Sequence, residues 1–386
     1  MSDRVARFAL SKLSEPGGLR LAGLVAELGA VTVYDHLRAE RDLGGLYSDV
    51  AVRLRGLDPE RDLEDAARRG IRFVVPGDDE WPTSLEDLQR AEPVQRLGGA
   101  PLGLWVRGPL RLDEVCSRSV AVVGSRSATT YGAGVAEEIA ATVAQDGVTV
   151  VSGAAFGIDQ AGHRGALAVT GTTVAVLACG VDRPYPSAHA RLLQLIAETG
   201  LVVSELPPGC SPTKLRFLAR NRLIAALSTG TVVVEAAARS GALNTANWAT
   251  RVNRVLMGVP GPVTSAQSEG VHELVRTGRA ALVTRGQDVL ALVSPTGSVP
   301  ELPVRGGSRL HDGLEERELR VLEALPVFNG VAVRSVARTC GLSERSVADA
   351  LTKLESLGMA ELVEGVWRLG RTARPPTKAD RGVPTG

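Results

Sequence analysis

From Ser119 onward the chain repeats one pattern: a short run of β-branched and other apolar residues, then a stretch long enough for a helix. The runs are Val120–Val123, Val148–Val151, Val174–Leu177, Leu201–Val203, Val232–Val234, Val255–Met257 and Ala281–Val283. They are apolar without clean alternation, as strands covered on both faces must be. A parallel sheet is covered in this way, because each crossover returns along one face as a helix. The expected fold class is therefore α/β, a Rossmann-like parallel sheet over residues 96–294.

The flanks read differently. In residues 1–95, Phe8–Arg41 suggests two short helices around Glu15-Pro16-Gly17-Gly18, with more helical patterning at Leu43–Leu54 and Leu63–Gly70. The expectation is a small helical (SAM or helix-hairpin-helix-like) domain. Its glycine turn would let backbone amides approach a DNA phosphate, and a plain helical turn fits the same residues. Residues 295–312 are rich in Pro, Gly and Ser and read as a linker. Residues 313–369 read as three helices and a hairpin, a winged helix. Its third helix exposes Arg345, Ser346, Asp349 and Lys353, a mixed set that suits DNA reading and protein docking equally. Residues 370–386 are polar and Pro-rich, with the composition of a disordered tail.

Composition narrows the function. At 386 residues and 44% hydrophobic content the chain can bury a core without staples. Cys116, Cys179, Cys210 and Cys340 are scattered, with neither zinc-ligand spacing nor a disulfide framework, which points to the cytoplasm. Asp3, Arg4, Arg7 and Lys12 interrupt any apolar leader, so no membrane role is expected. A net charge of +1 excludes an all-over cationic coat and leaves a local patch. Between Leu206 and Ser268 the one acidic residue is Glu235, against Lys214, Arg216, Arg220, Arg222, Arg239, Arg251 and Arg254. A basic surface is expected there, although a generally arginine-rich chain would produce the same cluster.

Small-residue loops follow the strands. Gly124-Ser125-Arg126 through Gly132 joins the first strand to a helix, a place where unpaired amides and the helix dipole suit a phosphate, with Arg126 as a bidentate clamp. It lacks both the G-x-G-x-x-G spacing of dinucleotide binders and the Gly-Lys-Ser/Thr of a Walker loop. Ser152-Gly153 and Gly157-Ile158-Asp159 follow the second strand. Asp159 and His163 lie one helical turn apart and read as a structural pair rather than an acid–base or metal half-site. Lys214, Phe217, Arg220 and Asn221 interleave cations with an aromatic in a chain that is 3% aromatic. That combination suits single-stranded nucleic acid, with cations on the backbone and a ring under a base; Phe217 fits ordinary core packing as well. Ser240, Gly241 and Thr245 would admit a ligand backbone at another helix N-terminus.

Taken in order, Gly124-Ser125-Arg126 with Tyr131-Gly132, Ser152-Gly153 with Gly157-Ile158-Asp159, Gly180-Val181-Asp182 with Tyr185-Pro186, Ser204-Glu205, Arg220-Asn221-Arg222, Val234-Glu235-Ala236, Ser240-Gly241 with Thr245-Ala246, and Val259-Pro260-Gly261 resemble the DNA-processing protein A (DprA/Smf) family. The resemblance implies a non-enzymatic, homodimeric recombination mediator. Such a protein would bind and protect incoming single-stranded DNA during natural transformation and help load RecA recombinase in place of single-strand-binding protein, with no cofactor. Carried over by position, it implies phosphate contacts from Arg126 and basic and aromatic contacts from Lys214, Phe217, Arg220 and Asn221. The chain departs from the family pattern at Leu218, where proline is usual, and at His189, where asparagine is common. The competing reading is a Rossmann-like nucleoside-monophosphate phosphoribohydrolase with Glu235 as its catalytic carboxylate, but Ser240–Thr245 does not match the Pro-Gly-Gly-x-Gly-Thr loop of that group. A nicotinamide dehydrogenase lacks its fingerprint.

Overall fold

The computed structural model describes residues 1–43, 50, 53–54, 56–294 and 313–374. The chain divides into two compact units, Met1–Glu301 and Leu302–Gly386. The helical pattern expected over Leu43–Leu54 lies largely outside the described residues, as do the expected linker 295–312 and the tail from residue 375 onward.

The first unit opens with α1 (Asp3–Leu13), α2 (Leu19–Leu28), α3 (Ala30–Arg38) and α4 (Pro59–Arg68). The Ser2 hydroxyl accepts from the Val5 amide and Asp58 from the Arg61 amide, so both α1 and α4 start on a side-chain cap. Where two helices were expected between Phe8 and Arg41 there are three, because Gly29 at φ +81° ends α2 and starts α3. Ala6, Leu10, Leu13, Val33 and Leu37 close a small core among these helices. Phe8 points the other way, edge-on to Phe73 and Trp105 at 5.9 and 5.4 Å.

The sheet follows: β1 (Ile71–Val74), α5 (Asp87–Arg90), β2 (Leu104–Arg107), α6 (Leu112–Ser117), β3 (Ser119–Val123), α7 (Thr130–Gln145), β4 (Thr149–Ser152), α8 (Ile158–Ala168), β5 (Thr173–Val176), α9 (Ala190–Thr199), β6 (Leu201–Ser204), α10 (Lys214–Ala226), β7 (Gly230–Val233), α11 (Ala242–Arg251), β8 (Val255–Gly258), α12 (Glu269–Arg276), β9 (Ala281–Leu282) and α13 (Gly286–Val293). Its order is β1-β2-β6-β5-β4-β3-β7-β8-β9. The strands from β3 to β9 pair in parallel; Ala121 of β3, for example, lies opposite Val151 on one side and Thr231 on the other. Every residue of β3 through β7 is buried, the physical reason their sequences do not alternate. Ala121, Val123, Val151, Val176 and Val233 face Leu223 of α10 and Trp248 of α11. Val120, Val122, Val150 and Val232 face Ile139 and Val143 of α7, Ala161 of α8 and Val289 of α13. Each of the valine, leucine and isoleucine side chains among them contributes about 1.5–3 kcal/mol by leaving water.

The expected boundary at residues 95/96 does not separate a helical domain from the sheet. β1 lies before that boundary and pairs antiparallel with β2 beyond it (Ile71 with Arg107, Val74 with Leu104), and β2 in turn pairs antiparallel with β6. The four residues of β1 follow α4 after a short turn and are too few to announce a strand by pattern.

The second unit holds α14 (Glu316–Glu323), α15 (Val333–Cys340), α16 (Glu344–Ser356) and an antiparallel hairpin of β10 (Ala360–Val363) and β11 (Val366–Leu369). Glu315 and Glu318 form a capping box on α14, Gly341 at φ +67° ends α15, and Ser343 caps α16. Val321, Val336, Val347, Leu351 and Leu354 form its core. Lys353, one of the four residues expected on the exposed face of α16, pairs with Glu318 at 2.8 Å.

Candidate nucleic-acid interface

Successive strands run from β3 to β6 in one direction, and β7 then joins the opposite side of β3. The order therefore reverses between β3 and β7, where loops diverge and leave a crevice at the carboxyl ends. An open groove of about 560 Å³ lies there. Of the residues expected at the site, Gly124, Arg126, Lys214, Phe217, Arg220, Asn221, Ser240, Gly241 and Thr245 line it. Ser125, Ser152, Gly153 and Gly157 do not line it and support it from behind.

α10 supplies one wall. Thr213 caps it by accepting from the Arg216 amide at 3.3 Å. The spacing of Lys214, Phe217, Arg220 and Asn221 puts all four on one helical face. Lys214 is exposed and Phe217 half-buried. The Arg126 guanidinium lies 4.7 Å from the centre of the Phe217 ring, that of Arg220 lies 5.9 Å away, and the Tyr185 ring is 5.6 Å away. The ring thus sits among cations and a second aromatic, with cation–π attraction holding Arg126 over it.

Arg220 and Asn221, expected as DNA contacts, are both largely buried. Arg220 is 6% exposed and donates to the carbonyls of Gly153 (2.7 Å) and Val176 (2.6 Å). A Cβ at residue 153 would overlap this guanidinium and force it to shift. Burial pushes the Arg220 pKa down to about 10, against the pull of Asp159, and burial likewise raises that of Asp159. Arg220 remains a cation at neutral pH, but it acts as a strut under the loop after β4. The Asn221 amide donates to Gly241 O at 3.4 Å and Asn244 Oδ1 at 3.3 Å, tying α10 to the start of α11. Thr245 is also buried. The Ser240 hydroxyl accepts from the Ala242 amide.

The first loop departs from the expected phosphate cradle. The amide of Thr129 donates to the Glu235 carboxylate at 3.0 Å, the Thr129 hydroxyl donates to the other carboxylate oxygen, and the Gly132 amide donates to Thr129 Oγ1 at 3.0 Å. Glu235 is 2% exposed and stands where a bound anion would neutralise the N-terminus of α7. This also uses up the carboxylate that the hydrolase reading needs. Arg126 projects from the loop, exposed and without an ion pair among the described residues. Behind it, Ser125 O accepts from the Ile158 amide at 3.1 Å, Gly157 adopts φ +78°, and the Ser152 hydroxyl donates to Val122 O at 2.7 Å.

Asp159 and His163 have separate tasks. Asp159 accepts from the Ala155 amide at 3.4 Å. His163 Nδ1 meets Thr173 Oγ1 at 2.7 Å, and because that hydroxyl already donates to Val150 O, Nδ1 is the protonated nitrogen. Burial, then His189 and Arg220, lower the His163 pKa to about 3. Among the described residues no group of His, Cys, Asp and Glu is placed to hold a metal ion.

The broad basic surface contracts to a few side chains. Arg216 pairs with Glu15 and Arg222 with Glu205, each at 2.7 Å; Arg254 pairs with Asp87 at 2.8 Å, and Arg251 pairs with Glu92. The acids come from outside the basic stretch, so the segment's composition overstated its field. Arg126, Lys214 and Arg239 keep their charge without an ion pair among the described residues. The Glu15-Pro16-Gly17-Gly18 turn is docked on the core: Gly17 O accepts from the Gly98 amide at 3.1 Å while Glu15 holds Arg216. Tyr185 was not among the expected site residues; the signal was its rarity as an aromatic beside the third loop.

An open α/β sheet with an aromatic ring and unpaired cations at its switch point, and no dinucleotide fingerprint, defines a Rossmann-like protein that meets its ligand through loops and side chains. Residues 72–294 match the family described as DNA recombination-mediator protein A. The chain belongs to that family, DprA/Smf. It is 45% identical over 367 residues to a putative DNA processing protein DprA of Mycobacterium tuberculosis, covering 94% of this chain and 93% of the relative. It is 41% identical over 214 residues to the DNA processing protein DprA of Streptococcus pneumoniae, covering 55% of this chain and 71% of that one. The crystal structure of DNA processing protein A from Streptococcus pneumoniae aligns with a TM-score of 0.63 at 30% identity, over 76% of this chain and 99% of that one. Among the described residues no helix is long and apolar enough to cross a membrane.

Proposed function

We propose that this protein binds single-stranded DNA in the switch-point groove and works in the cytoplasm as a recombination mediator rather than an enzyme. The observation that carries the reading is the arrangement of Arg126 over Phe217 beside Lys214, two exposed cations flanking one aromatic ring. Cations hold a phosphate chain, and aromatic faces accept any unstacked base. A duplex hides its base faces, so this chemistry selects single strands.

The family's description as a recombination mediator supports the wider role: protecting incoming strands during transformation, displacing single-strand-binding protein and loading RecA, as a homodimer. The second unit, three helices and a hairpin, is the winged-helix module of this reading, available to a partner or to duplex DNA. Fluorescence anisotropy of a labelled dT oligonucleotide against the same strand in duplex, at two salt concentrations, tests the central claim. Tight, salt-sensitive preference for the single strand that weakens in Arg126→Ala supports it; equal affinity for duplex, or no effect of the substitution, removes it.

A further inference from the structure

We infer that Tyr185 and Phe156 form a base-stacking shelf that continues the groove across the ends of β5 and β4; the inference rests on the single-strand reading above. Phe217 is only half-buried, yet a guanidinium lies 4.7 Å from its centre, so part of the ring's π-surface is already engaged. The exposed aromatic surface lies next to it. Tyr185 is 43% exposed, on the loop after β5, with its ring 5.6 Å from Phe217 and tilted by 50°. Phe156 is 48% exposed, on the loop after β4, one residue from the groove-lining Ala155.

Phe156 is also held in place. His189 packs against its ring at 4.6 Å with an interplanar angle of 67°, and His189 Nδ1 lies 2.9 Å from Ala154 O, two residues before Phe156. The buried His189 therefore fixes an exposed ring to its own loop. Phe8, Phe73, Trp81, Trp105 and Trp248 are buried, whereas Tyr185 and Phe156 turn outward, as Tyr131 and Phe328 do elsewhere. Two outward rings on neighbouring loops, beside unpaired Arg126 and Lys214, are where an amphiphilic polymer would meet both chemistries. Because every base has a π-face, the shelf would be tolerant of sequence.

The test compares a dT oligonucleotide with an abasic strand of the same length, by anisotropy, using full-length wild type, Arg126→Ala, Tyr185→Ala, Tyr185→Phe and Phe156→Ala. Tyr185→Ala and Phe156→Ala are each expected to bind dT roughly tenfold more weakly and the abasic strand like wild type, with Tyr185→Phe unchanged. Arg126→Ala is expected to weaken both ligands. Normal dT binding by both alanine variants of the shelf, with Arg126→Ala still impaired, overturns the shelf and leaves the groove standing. Loss of abasic binding in the shelf variants overturns it too, since the rings would then act on the backbone or the fold. No binding by wild type overturns both readings. Melting temperatures of the variants separate unfolding from lost contact.

Discussion

The Glu235 carboxylate occupies the space that a Cβ on residue 132 would need, so Gly132 and Glu235 are fitted to each other across the N-terminus of α7. An alanine in a helix ordinarily gains about 0.5–1 kcal/mol over glycine. Here overlap with a buried, hydrogen-bonded carboxylate outweighs that gain, and Gly132→Ala is expected to destabilise the first unit by roughly 1–3 kcal/mol, read from urea denaturation. Stabilisation by this substitution would mean that Glu235 does not sit against the helix.

Arg222 is fully buried and bidentate to Glu205, with its Nε donating to Gly99 O at 3.1 Å. Removing one partner leaves a buried charge alone, so Arg222→Ala is expected to cost about 3–5 kcal/mol of stability. Lys214→Ala, eight residues earlier and exposed, should leave the urea midpoint in place and weaken DNA binding. The pair separates structural from ligand-facing cations in one helix.

Acid should unfold the chain partly through His163. Folded, this imidazole stays neutral down to about 3; unfolded, it takes up a proton near the ordinary histidine value of about 6.5. The unfolded state binds the extra proton between those values, so stability falls as pH drops through that window. Asp159, raised by burial, works in the opposite sense. The urea midpoint of wild type is expected to fall more steeply between pH 7 and pH 4.5 than that of His163→Asn; parallel slopes would assign the acid sensitivity elsewhere.

A chain ending at Ser294 retains every element of the sheet and the whole groove. It is expected to keep most of its affinity for single-stranded dT. Loss of nearly all binding would transfer the site to the second unit.

Reading the sequence located the parallel strands well, because a valine-rich run buried on both faces depends on little beyond itself. β1 was missed since four residues carry no period and their partner, β2, lies thirty or more positions on (Val74 with Leu104, Ile71 with Arg107). Lys214, Phe217 and Arg126 were legible as chemistry, one by one. What stayed hidden was compensation: Glu15, Asp87 and Glu92 precede the arginines they neutralise by well over a hundred residues. The burial of Arg220 was hidden for a related reason, since nothing in its neighbours along the chain says that Gly153 and Val176 present carbonyls to it.

The nine-stranded sheet ends on both sides in short strands, four residues in β1 and two in β9. Were the proposed single-strand binding to gather many copies along one polynucleotide, it would bring sheet margins within reach of each other, the circumstance in which edge strands template aggregation. Margins so short would offer few unpaired amides and carbonyls through which the copies could fuse.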